Sequence, residues 1–161
     1  SFKPFNDIYG YGRGDEVLLC LAQCLNDRVD PSRDFVGHIG GDDFLMVLGP
    51  EDWGKRLNQL LDDFQSQCRR FYRSEHLEAG CFIAPNRQGV RQEFPLLSLS
   101  IGVVHLHPQA CGQLDASQLA EMASQAKHHA KNVPGYSVHV IDSLAVPEPE
   151  AAWLTGQRCL I

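Results

Sequence analysis

The 161-residue chain is notable first for what it lacks. It has no apolar run long enough to span a bilayer and no basic stretch followed by an apolar segment at its start, so nothing reads as a membrane span or a secretory leader. It has no dense basic stripe. Its 14 basic residues are scattered among 20 acids, the formal charge is −6, and the longest basic run is Arg69-Arg70, which excludes a nucleic-acid polymer as the expected partner. A small nucleotide carried with magnesium is not excluded, because the metal brings its own positive charge. No C-x-x-C occurs among the six cysteines, which are too dilute for a disulfide scaffold and read as free thiols of a reducing cytoplasm. No repeat or low-complexity tract is present. No two histidines stand four apart as in a helical zinc pair, so His38, His105, His107, His128 and His129 read as surface or helix-end residues.

What is present is a globular composition, 43% hydrophobic, 21% charged and 9% aromatic, enough for one domain with a core. Three helices are expected. Val17, Leu18, Leu21, Cys24 and Leu25 recur at helical spacing over Asp15–Asn26. A second helix is expected to begin at Pro50 and to bury Trp53, Leu57, Leu60, Leu61, Phe64, Cys68 and Phe71. The third spans Ala116 to Lys131, opened by an Asp115/Gln118 capping box, with Leu119, Ala123, Ala126 and Ala130 on one face. Arg69, Arg70 and Arg73 are expected to complement the end of the second helix.

Strands are expected at Asp34–Ile39 and Phe44–Leu48, joined by a Gly40-Gly41-Asp42-Asp43 hairpin turn. A long strand is expected over Leu96–Leu106, paired with Cys81–Ala84 through the turn-rich Pro85–Gly89. A last strand is expected at Ser137–Ile141. Ser98, Ser100 and Gly102 share a small-residue face that a helix or ligand can approach closely. The fold class is α/β (α+β), with a mixed, mostly antiparallel central sheet flanked by helices. Val146-Pro147-Glu148-Pro149-Glu150 reads as a linker, and Ala151-Ala152-Trp153-Leu154 as an apolar tail; residues 143–161 are set apart from a domain at 1–142.

Two segments carry chemistry. The first, Phe2 to Asp15, reads as a glycine-rich loop entering a helix, compatible with phosphate binding. In the second, His38 to Phe44, Asp42 and Asp43 put adjacent carboxylates on a glycine-rich hairpin tip. Such carboxylates can hold Mg²⁺, and the same residues also suit a plain solvated turn.

In order and spacing, Phe2-Lys3, Asn6-Asp7, Gly10, Gly14-Asp15, Gly40-Gly41-Asp42-Asp43-Phe44, Ser100-Ile101-Gly102 and Ala130-Lys131 together resemble the GGDEF family, the diguanylate cyclases, over residues 1 to about 142. The resemblance implies a nucleotidyl-cyclase-like fold whose first strand, bearing another metal aspartate, precedes Phe2 and is truncated here, so that the chain is a piece of a longer protein. It implies condensation of two GTP molecules, one on each chain of a homodimer, to cyclic di-GMP, with Mg²⁺ as cofactor. By position, Asn6 and Asp15 would bind the guanine edge, Phe2 and Lys3 would lie near the phosphates, and Gly41 would admit the nucleotide. Asp42 would bind metal, Asp43 would take the catalytic acid position, and Lys131 would meet the terminal phosphates.

Departures from the family pattern bear on activity. Asp43 stands where the active pattern has Glu, which withdraws the carboxylate by one C–C bond, ~1.5 Å. Tyr11 replaces a His, Ser124-Gln125 interrupts the usual A-D-x-A-L-Y helix wording, and Asn132-Val133-Pro134-Gly135-Tyr136 follows Lys131 where an Arg is usual. The family's product-inhibition R-x-x-D falls on Pro31-Ser32-Arg33-Asp34, which keeps only the Asp. The wording also resembles GGDEF domains that accompany EAL phosphodiesterase and CBS modules. The expectation is thus a cytoplasmic cyclic di-GMP signalling module that binds GTP and Mg²⁺ and regulates an attached EAL domain with little or no cyclase activity. An active but slow cyclase and a structural dimerisation unit remain open.

Overall fold

The computed structural model describes residues 2–86, 88–110 and 112–143. The expected linker and apolar tail, Cys111 and Cys159 lie outside the described residues. The chain divides into two compact units, with the boundary at Leu99/Ser100.

The first unit opens with α1 (Phe2–Tyr9) and α2 (Tyr11–Asn26), separated only by Gly10 at φ 86°. The expected glycine-rich loop is therefore two helices. Glycine, Asn6 and Asp7 are poor helix formers, but Phe5 is fully buried and stacks on Tyr9 at 4.6 Å between ring centroids, with Tyr72 edge-on at 5.3 Å. Packing of that aromatic cluster overrides local propensity. Pro4 is tolerated because the first turn of a helix has no internal use for its N–H. Helix α2 starts four residues earlier than expected and buries Val17, Cys20, Leu21, Cys24 and Leu25.

The strands β1 (Phe35–Gly40) and β2 (Asp43–Val47) form the expected antiparallel hairpin, with an irregularity between His38 and Gly40. Helix α3 (Trp53–Cys68) begins three residues after Pro50, because Asp52 adopts a left-handed conformation (φ 55°) that cannot continue a helix. Its buried stripe is Leu57, Leu60, Phe64 and Cys68. A single 3₁₀ turn, Arg69–Phe71, follows, and Arg70 lies over the Phe71 ring at 4.9 Å. Arg73, beyond that turn, lies 5.7 Å from the Tyr9 centroid rather than at the end of α3. A short unforeseen helix, α4 (Ser74–Ala79), leads into β3 (Cys81–Pro85).

Strand β3 pairs antiparallel with β4 (Arg91–Pro95), not with the segment after it. The Asn86 side chain closes the turn, its Oδ1 accepting from the N–H groups of Gln88 and Val90, both at 3.0 Å. The expected long strand is shortened accordingly. Residues 96–99 make no ladder; the Leu97 N–H instead donates to the Tyr72 hydroxyl at 2.7 Å.

In the second unit, β5 (Ser100–His105) and β6 (Ser137–Asp142) form a parallel pair, connected through α5 (Ala116–Lys131). A parallel pair needs such a crossover. The capping box forms as expected: Asp115 Oδ1 accepts from the Gln118 N–H, and Gln118 Oε1 accepts from the Asp115 N–H, both at 2.8 Å. Met122, Ala126 and Ala130 are the buried positions of α5. The small face of β5 receives this helix. A Cβ on Gly102 would fall 2.3 Å from the Lys127 backbone nitrogen and 2.6 Å from the Ala126 carbonyl carbon. Among the described residues the pairing is two antiparallel ladders and one parallel ladder, each of two strands, rather than one continuous sheet. Helices and mixed strand pairs fit the expected α+β class.

Candidate functional site

Phe2, Lys3, Asn6, Asp15, Gly41, Asp42 and Asp43 all belong to the first unit, and Lys131 to the second. Within the first unit they stand on two element pairs, the α1/α2 contact and the β1/β2 hairpin.

The α1/α2 contact is tight because Gly14 has no side chain. A Cβ there would lie 2.0 Å from Asn6 Oδ1 and 2.9 Å from Asn6 Cγ. The Asn6 amide therefore rests on the Gly14 backbone, one residue from Asp15. Asn6 Oδ1 is buried and has no hydrogen-bond partner in the protein. An acceptor in that state is costly unless something donates to it. Asp15 is exposed on α2, and Phe2 stacks near-parallel on Phe5 at 6.3 Å, leaving Lys3 exposed. The Tyr9 hydroxyl bonds His76 Nδ1 and accepts from the Arg73 N–H at 3.3 Å, which fixes α1 to the chain entering α4.

At the hairpin, Gly40 (φ 148°) and Gly41 (φ 57°) adopt backbone angles that disfavour any side chain, and a Cβ on either would touch nothing within 4 Å. The tip is thus open on its glycine side, with exposed Asp42 and half-buried Asp43 following it. His38 braces it from below: its Nε2 lies 3.0 Å from the Gly41 carbonyl oxygen, and its ring stacks on Phe44 at 4.5 Å. That brace was not legible from the motif alone, although His38 and Phe44 face each other across the strands.

The positions matching the product-inhibition motif are occupied internally. The Asp34 carboxylate is inaccessible to solvent. It accepts from the backbone N–H of Asp30 at 2.7 Å and of Gly49 at 2.8 Å, and pairs with Arg56 of α3. These bonds, the Asp30 N–H foremost, hold its carboxyl far below the usual aspartate range. Arg33 turns away to Glu51 at 3.0 Å. Arg56 Nε also donates to the Arg28 carbonyl at 2.8 Å, and Arg28 pairs with Asp63, so this network ties the 27–34 loop to α3.

Lys131 is the last, exposed residue of α5. Asn132, at the position of the family's arginine, caps the helix, its N–H shared between the carbonyls of His128 (3.3 Å) and His129 (3.2 Å). Gly135 at φ 83° then turns the chain into β6.

Cys20, Cys24 and Cys68 are buried thiols and Cys81 is half-buried. Cys20, Cys24, Cys68 and Cys81 are free, and burial pushes the Cys24 thiol up to about 11 and that of Cys68 up to about 12. An open groove of about 690 Å³ between α2 and the turn after α3, lined in part by Arg13, Cys20, Gln67 and Arg70, contains none of Phe2, Lys3, Asn6, Asp15, Gly41, Asp42, Asp43 and Lys131. Among the described residues, no helix is long and apolar enough to cross a membrane.

Residues 1–135 match the family described as "Diguanylate cyclase, GGDEF domain", and the chain belongs to it. Diguanylate cyclase DosC of Escherichia coli is 30% identical over 131 residues, covering 81% of this chain and 24% of DosC. Diguanylate cyclase DgcP of Escherichia coli is 28% identical over 136 residues, covering 83% of this chain and 35% of DgcP. A diguanylate cyclase of Vibrio cholerae is 44% identical over a 48-residue stretch, 30% of this chain. The chain spans about a quarter of the length of the DosC relatives it matches.

Proposed function

We propose that this GGDEF domain is a GTP-binding regulatory module of cyclic di-GMP signalling, with little or no cyclase activity of its own. The observation that carries the reading is the contrast between its parts. The hairpin tip is open on its glycine side and keeps two carboxylates, and Asn6 and Asp15 retain an amide and a carboxylate one residue apart across the Gly14 contact. Meanwhile Asp43 is shorter than the family's glutamate and Asn132 replaces the phosphate-binding arginine. The guanine edge carries N–H donors that suit an amide oxygen and a carboxylate, here Asn6 and Asp15.

The donor chemistry also fits Mg²⁺, which favours one or two carboxylates plus water and phosphate oxygens. Asp42, with Asp43 beside it, would hold the ion. When bound, Mg²⁺ supplies charge neutralisation at the triphosphate. Gly41 admits the nucleotide to the backbone, and Phe2 and Lys3 lie toward the phosphates. Asp43 occupies the position that accepts the 3′-hydroxyl proton in a competent cyclase, and its shortened side chain is the reason for the low activity. Proton transfer tolerates little misplacement of the base. The product-inhibition surface is not retained, because Asp34 is committed to Arg56 and Arg33 to Glu51. The module acts in the cytoplasm as a homodimer, alongside EAL and CBS domains of the parent protein, and modulates the EAL phosphodiesterase.

The retained carboxylates favour one second reading, a slow diguanylate cyclase in which Asp43 serves as the base. Incubation of the parent protein with Mg-GTP separates the two. The first reading expects GTP binding without cyclic di-GMP, and phosphodiesterase activity that changes with GTP. The second expects cyclic di-GMP that disappears in Asp42→Ala. Neither binding nor product contradicts both.

A further inference from the structure

Outside the GGDEF hairpin, the end of the β5/β6 ladder gathers two imidazoles and a carboxylate. His105, the last residue of β5, is directly opposite Asp142, the last residue of β6. His107 follows two residues on, and the two-residue period of extended chain returns it to the same face. Its backbone N–H donates to Ser143 Oγ at 2.9 Å, which carries the continuation of β5 alongside the end of β6. The consequence is that His105 Nδ1 and His107 Nε2 each approach the same atom, Asp142 Oδ2, at 3.3 Å, with all three donor atoms within 4.8 Å of one another.

We propose that His105, His107 and Asp142 form a binding site for a divalent first-row transition metal ion such as Zn²⁺, Co²⁺ or Ni²⁺, independent of the nucleotide site. Both separations, one of them a long hydrogen bond between His105 Nδ1 and Asp142 Oδ2, exceed the commonest hydrogen-bond length of about 2.9–3.0 Å. They match the edge of a tetrahedron, ~3.3–3.4 Å, that follows from metal–ligand bonds of ~2.0–2.1 Å to nitrogen and oxygen. The ligand set is two imidazole nitrogens and one carboxylate, donors that select Zn²⁺, Co²⁺ and Ni²⁺ over Mg²⁺. The three side chains are 35%, 32% and 41% exposed, so an ion can enter from solvent and keep water on its open side. The backbone bond from His107 to Ser143, which is itself buried, holds the ligand-bearing segment in place. The sequence conceals the site because its third ligand lies beyond α5, far from His105-Leu106-His107.

The test is titration of the intact chain, freed of metal by a chelator, with Zn²⁺ against a chromophoric competitor, and separately with Co²⁺ read by its visible absorption. Variants are His105→Ala, His107→Ala and, as a milder change that preserves folding, His107→Gln, with His139→Ala as control and circular dichroism as the check on folding. One equivalent binding at micromolar affinity, unaffected by millimolar Mg²⁺, weakened at least about tenfold in each cluster variant and unchanged in His139→Ala, supports the site. The Co²⁺ spectrum should lack thiolate charge-transfer bands. Equal binding by wild type and folded His107→Gln, which would place the ion on Cys81 or another thiol, overturns the assignment, as does an absence of binding at millimolar Zn²⁺.

Discussion

Replacing Gly14 with alanine separates stability from nucleotide recognition. The added Cβ would lie 2.0 Å from Asn6 Oδ1 and 3.3 Å from Asn6 Nδ2. Ordinary carbon contacts lie near ~3.5 Å, so the Asn6 amide must withdraw by more than about 1 Å. That atom is the end of a rotatable side chain, so the backbone can stay in place. Inside a helix, alanine in place of glycine gains up to about 1 kcal/mol, which offsets the repacking. Unfolding free energy is therefore expected to change by less than about 1 kcal/mol in urea denaturation. GTP affinity is expected to fall, because one hydrogen bond of about 1 kcal/mol is lost, or about fivefold in Kd. Asn6→Ala should show the same loss, and the double variant no further loss, in a calorimetric double-mutant cycle. Unchanged GTP affinity in a folded Gly14→Ala protein, or additive losses in the cycle, would refute the assignment of Asn6 to the base.

Gly102→Ala is expected to be far more disruptive, because its Cβ meets the α5 backbone 2.3 Å away rather than a movable side chain. A loss of about 1–3 kcal/mol or more in denaturant unfolding checks it, and a change under about 0.5 kcal/mol contradicts the close α5/β5 packing. Asp34 should make stability acid-sensitive. Its folded carboxyl titrates below the ordinary value of 3.8, so its contribution is complete above that value and disappears as pH falls below it. Asp34→Asn should lower stability at neutral pH and flatten the acid limb of Tm against pH; an unaltered limb would count against the network. Alkylation at neutral pH should reach half-buried Cys81 before Cys24 and Cys68, whose buried thiols stay protonated, and mass-mapped rates check the order. Asp43→Glu restores the longer acid and should raise cyclic di-GMP formation by the parent protein; no change would locate the deficit elsewhere, at Asn132 first.

Legibility in the sequence followed the strength of local signals. The α5 capping box, the β1/β2 hairpin and the small face at Gly102 were readable because each depends on a few adjacent residues with one geometric solution. Helix α1 was not, since Asn6, Asp7 and Gly10 argue locally for a loop and only the burial of Phe5 against Tyr9 and Tyr72 decides otherwise. Strand β4 carries no strand signal, because Arg91, Gln92 and Glu93 are exposed without apolar alternation, while the apolar run Leu96-Leu97-Ser98-Leu99 beside it reads as a strand and makes no ladder. At the candidate site, the hairpin acids were evident from their glycines. The His38 brace, the commitment of Asp34 to Arg56, and the convergence of His105 and His107 on Asp142 are long-range pairings that no local pattern encodes.

The most direct test of the central claim is a calorimetric titration of the parent protein with Mg-GTP, with Mg-ATP as the comparison and Asn6→Ala and Asp15→Ala as variants. Saturable binding of GTP over ATP, lost in either variant, is the predicted result. No GTP binding up to millimolar concentration, or binding indifferent to both variants, would contradict it and leave the domain as a scaffold that retains the hairpin without its ligand.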